Sequence, residues 1–150
     1  MAIKTSTLSP RLVIKGAAQA LEFYREVFGA ELTDRFDDQD GGIVHAGLRI
    51  GESTFSITEQ SERWGSRGPL SLGGSPVVLE VTCATDAVWA KAMAAGATEV
   101  FPLADHFYGA RAGRFADPFG HLWIVTQAIE DVSDDEVRRR MAAWESENAG

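Results

Sequence analysis

The chain has 150 residues, 45% of them apolar and 24% charged, with a net charge of −8 and a single cysteine. That length suits one domain able to bury a sizeable core. The acidic balance argues against nucleic acid and favours neutral or cationic partners. No apolar run approaches the ~20 residues that cross a bilayer, and no apolar leader opens the chain, so the sequence reads as a cytoplasmic protein without a membrane partner.

In chain order, the first strand has Leu12 and Ile14 on one side and Ser9, Arg11 and Val13 on the other. An amphipathic helix runs from Ala20 to a Gly29-Ala30 ending, followed by strand-like runs Ile43 to Ile50 and Ser53 to Thr58. Glu59 to Pro76 is too rich in Gly, Ser and Pro for a regular element and reads as a linker. Within it Trp64 is either a lid residue or a surface or subunit contact.

A second strand with Leu79 and Val81 on one side precedes a helix from Ala87 to Gly96-Ala97. Cys83 ends that strand and reads as a small buried thiol, consistent with a reducing compartment, rather than a nucleophile. Strands Arg111 to Ala116 and His121 to Gln127 flank Asp117-Pro118-Phe119-Gly120, whose residues all suit a tight turn. Ser133-x-x-Glu136 opens a last helix over about 133–146, with Val137, Met141 and Trp144 on one face and Arg138 to Arg140 as a solvated face.

The two Gly-Ala helix endings are 67 residues apart, and the same offset lays Leu12 on Leu79 and Ile14 on Val81. Strand, helix and a meander of strands therefore occur twice. This order and the run from Pro102 to Trp123 resemble the vicinal-oxygen-chelate (glyoxalase, bleomycin-resistance and extradiol dioxygenase) superfamily. Pro10, Phe23-Tyr24, Phe28-Gly29-Ala30, His45 and Gly109-x-Arg111-x-Gly113 are similar to its branch encoded beside phosphonate-use genes. The resemblance implies an α+β fold of two tandem βαβββ modules, about 8–59 and 76–128, in a single domain. Their eight strands would form one curled mixed sheet, a cup, with helices outside. It also implies a homodimer, in some relatives with an exchanged N-terminal strand.

Metal-using members place two histidines and two glutamates in the cup. Carried over, these positions fall on Ser9, Ile57, Pro76 or Val77, and Ile124, so no metal or other cofactor is expected. His45, His106 and His121 occupy other positions; His121 is expected to order its turn, and His45 points into the cup or serves structure. The remaining cup wall is apolar with sparse polar groups, as suits an organic ligand. Arg11, His45, Phe55 and Glu80 are its candidate contacts, with Trp64, Phe107, Tyr108 and Arg111 closing over them. Glu80 either pairs with Arg11 or meets a cationic or hydroxyl-bearing ligand.

The expected function is metal-free binding of a small organic ligand, cationic or aromatic, similar to antibiotic-sequestering members. The alternatives are a lyase, isomerase or dioxygenase, metal-dependent or using Glu80 or His45 as general base, and a ligand-free structural dimer.

Overall fold

A computed structural model describes residues 1–150, which divide into two compact units. The first comprises residues 1–77 with 117–121, and the second 78–116 with 122–150. No helix is long and apolar enough to cross a membrane.

In the first unit, β1 (Arg11–Ile14), β2 (Glu31–Asp37), β3 (Ile43–Ile50) and β4 (Ser53–Glu59) form a sheet in the order β1-β4-β3-β2. β1 runs parallel to β4 and the other pairs are antiparallel. Helix α1 (Ala17–Phe28) buries Ala17, Ala20, Leu21, Tyr24 and Val27, the i, i+3, i+4, i+7 stripe expected of a helix packed on a core. The glycine endings work as read: Gly29 closes α1 in the left-handed region at φ 65°.

The second unit repeats the plan. β5 (Val78–Thr82), α3 (Thr85–Ala94), β6 (Thr98–Asp105), β7 (Ala110–Ala116) and β8 (Leu122–Ala128) give a sheet ordered β5-β8-β7-β6, with β5 parallel to β8. The fold is therefore α+β with two βαβββ modules and a C-terminal helix, α4 (Asp134–Asn148). The eight strands form two four-stranded sheets rather than one hydrogen-bonded sheet.

The symmetry extends to helix capping. Neither α1 nor α3 has a side chain of its own at the N-cap, leaving first-turn N–H groups without partners. In each unit the last strand supplies one. Glu59 accepts from the N–H groups of Gly16 (2.9 Å) and Ala17 (2.8 Å). Gln127, near the end of β8, accepts from the Thr85 N–H and hydroxyl.

Two short elements interrupt the linker: a 3-10 turn over Glu62–Trp64, and α2 (Pro69–Leu72). Pro69 at the start suits a helix N-terminus, while the Gln60 side chain accepts from Gly68 N–H and Ser71 Oγ. β2 and β6 escaped the sequence reading because both are largely exposed strands at sheet edges, with no apolar alternation to mark them.

The Asp117–Gly120 turn belongs to the first unit. Asp117 is buried and its Oδ1 accepts from the N–H groups of Phe119 (2.9 Å) and His121 (3.0 Å), which is the turn chemistry expected of Asp-Pro-x-Gly. His121 orders the turn as expected, through its backbone N–H and C=O, and its imidazole also donates to Val13 O at 2.9 Å and ties the turn to β1.

Candidate functional site

Strand register decides which side chains share a face. In the first sheet, Leu12, Ile57 and Ala46 lie in one row and Leu48 opposes Phe55, all buried on the α1 side. Phe55, expected from the sequence as a ligand contact, lies in this buried layer with its ring edge-on to Tyr24 at 5.6 Å. Ile57 is fully buried in the same layer, and Glu59, opposite Ile14, caps α1.

The opposite face of this sheet carries Arg11 and His45 in a hydrogen-bonded chain. Arg11 donates from Nη1 to His45 Nδ1 (3.2 Å) and from Nη2 to Val44 O (3.1 Å), and His45 Nε2–H donates to Asp34 Oδ2 (3.1 Å). Asp34 was missed by the sequence reading because its strand carried no signal. Gly47 makes its placement possible, since a Cβ there would stand 2.1 Å from Asp34 Oδ1. Both His45 nitrogens are engaged: a ring that accepts from a guanidinium at Nδ1 has no free lone pair with which to take a proton.

Trp64 is 72% exposed, with the Arg63 guanidinium 5.1 Å from its ring centroid.

The second unit holds a pocket. Register places Glu80, Ile124, Arg114 and Phe101 in one row across β5, β8, β7 and β6. The pocket, about 140 Å3, is lined by Phe101, His106, Tyr108, Ala112, Arg114 and Ile124 with the Gly113 backbone. His106 donates from Nε2 to Ala112 O (3.1 Å), and Tyr108 stacks on its ring at 5.2 Å with the planes 6° apart. Burial, with the negative charge of Glu80, pushes the Tyr108 phenol above its ordinary pKa. The Arg114 guanidinium lies 5.3 Å from the Phe101 centroid, a cation–π distance.

Of the residues expected from the sequence, Tyr108 lines the pocket, while Glu80 lies in the adjoining strand row and its charge acts on Tyr108. Phe101, His106 and Arg114 were missed: Phe101 lies on an edge strand, and nothing in the β7 sequence distinguishes Arg114 from an ordinary strand arginine.

Phe107 and Arg111, also expected from the sequence, both have partners within the unit. Phe107 packs on Tyr108 and on Trp144 of α4. Arg111 is held by Asp86 and Asp105, which together raise its pKa. The glycines of Gly109-x-Arg111-x-Gly113 are explained by space: Gly109 has φ +90° with Glu130 O 2.5 Å from an added Cβ, and at Gly113 that Cβ would stand 2.7 Å from Trp89. Trp123 lies in the helix-side layer, and Trp89 on α3 packs edge-on to Phe115.

Burial raises the pKa of the Cys83 thiol, away from nucleophile behaviour. No three His, Cys, Asp or Glu side chains converge as metal ligands. Ser9, Ile57, Pro76 or Val77, and Ile124, the positions onto which the resemblance carried the metal ligands, offer no set of donors for a divalent ion, and Ile57 lies in the buried helix-side layer.

Residues 8–125 match the model of the glyoxalase/bleomycin resistance protein/dioxygenase superfamily. The chain belongs to that superfamily. An uncharacterized protein of Mycobacterium bovis is 39% identical over 140 residues, covering 91% of this chain and 92% of the relative. Among solved structures, TioX from Micromonospora is 27% identical with a TM-score of 0.62, covering 85% of this chain and all (100%) of TioX. A PhnB protein of Bacillus cereus shares the fold at 23% identity and a TM-score of 0.62, over 82% of this chain and 100% of its own. Membership thus agrees with the repeat read in the sequence.

Proposed function

We propose that this superfamily member is a metal-free small-molecule binding protein that captures its ligand stoichiometrically in the pocket of the second unit. One observation carries the reading: aromatic and aliphatic walls from Phe101, Tyr108 and Ile124 converge with few polar groups, the composition that gives an organic ligand affinity from burial and orientation from isolated contacts. An aromatic ligand stacks against Phe101 and Tyr108, and a cationic or hydroxyl group on it faces Glu80. Antibiotic sequestration in the cytoplasm fits this mode of action, and a homodimer is the proposed assembly.

Catalysis with His45 as general base is disfavoured by its geometry, because Arg11 occupies the nitrogen a base would use.

The test is a thermal-shift screen of aromatic and cationic compounds, repeated on Ala112→Leu, which fills the pocket. Capture is supported by hits whose stabilisation is lost in the variant and which mass spectrometry recovers unchanged. Ligand consumption would replace binding by catalysis.

A further inference from the structure

This inference rests on the pocket reading and specifies the chemistry of its ligand. Arginines of this acidic chain commonly reach a carboxylate, as Arg111 and Arg140 do within the same unit. Arg114 forms no such pair, and its Nε–H is buried without a hydrogen-bond partner. A half-buried guanidinium with its Nε shielded from water and only the face of Phe101 against it retains an unneutralised charge at the pocket wall. An anion arriving there gains more than it would at a hydrated surface arginine, and a carboxylate matches the fork of guanidinium donors.

The row Glu80, Ile124, Arg114, Phe101 supplies direction. Two strand spacings separate Glu80 from Arg114, about 10 Å between backbones, with Ile124 as an apolar floor between them. Within that row Glu80 is negative and Arg114 positive, an interval that an aromatic ring would span. We infer that the pocket takes a planar aromatic acid, its carboxylate at Arg114, its ring over Ile124 between Phe101 and Tyr108, and any cationic or hydroxyl group at the Glu80 end.

The experiment is calorimetric titration with 2-naphthoate and with 2-naphthamide, which keeps the ring and removes the charge. In the wild type, 2-naphthoate should bind at least about tenfold tighter, and the preference should shrink with added salt. In Arg114→Gln the preference should vanish while 2-naphthamide affinity stays within about twofold; Arg114→Lys should retain part of it. Equal binding of the two probes by the wild type, or a preference that survives Arg114→Gln, overturns the inference and leaves the pocket reading standing. Failure of both probes to bind the wild type overturns both. The wild-type comparison is decisive even where a variant fails to fold.

Discussion

The Tyr24 hydroxyl donates a 2.6 Å hydrogen bond to Asp117 Oδ2, joining α1 to the Asp117–Gly120 turn across 93 positions of sequence. Tyr24 is fully buried and Asp117 nearly so, at 4% exposure, so the bond is shielded from water. Hydrogen bonds to charged acceptors contribute about 1.5–3 kcal/mol. Tyr24→Phe should lower stability by about that amount in urea denaturation, and a loss under about 0.5 kcal/mol would show that the carboxylate is satisfied without the phenol.

Glu59 and Gln127 are equivalent caps in separate units, each serving the first turn of a helix from the end of a neighbouring strand. Loss of a side-chain cap costs about 1 kcal/mol. Glu59→Ala and Gln127→Ala should each destabilise by about 1 kcal/mol. Their double variant should show near-additive loss, because the two share no partner. Chemical denaturation of the three variants checks both statements.

Gly113 faces Trp89 at a distance that leaves no room for a methyl group, and Leu103 Cα would stand 2.9 Å from the added Cβ. Backbone cannot rotate away as a side chain can. Gly113→Ala should cost about 1–3 kcal/mol and perturb near-ultraviolet circular dichroism from Trp89. An unchanged spectrum and melting temperature would contradict this packing.

Helix α4 is fastened by Arg140, which donates to Phe107 O (3.0 Å) and pairs with Glu130 and Glu136. Arg139 and Arg140 lower the Glu136 pKa from its ordinary 4.5 to about 2. A folded-state pKa below the unfolded one means that the contribution is complete above about 4.5 and is lost as pH falls toward about 2. Acid titration followed by the fluorescence of Trp144, which packs on Phe107, should therefore show α4 loosening in that window. Glu136→Gln should flatten that dependence. The arginine triplet, read as a solvated face, thus divides: Arg138 and Arg139 pair locally along the helix, and Arg140 holds the helix to its unit.

Repetition made the fold legible. Leu12 and Leu79 each sit beside a parallel last strand of their module, paired with the helix-side residues Ile57 and Trp123, so apolar phase carried real structural information. The candidate site was less legible, for identifiable reasons. Phe55 and Ile57 alternate with Ser56 and Thr58, a pattern that places them on the buried side. Carrying a family position onto Ile57 overrode that simpler signal. Arg111 resembled a ligand contact because sequence spacing cannot show that Asp86, 25 residues earlier, reaches it first. Arg114 gave no such cue, since what distinguishes it is the absence of a partner that only three-dimensional neighbours reveal.

The most direct measurement is a backbone amide nuclear magnetic resonance titration of the wild-type protein with the strongest stabilising aromatic compound. Saturable shifts centred on Phe101, His106, Tyr108, Ala112 and Ile124, with the compound recovered intact, are the expected result. Shifts confined to the Asp34, His45 and Arg11 face, or conversion of the compound, would contradict capture in the second unit's pocket.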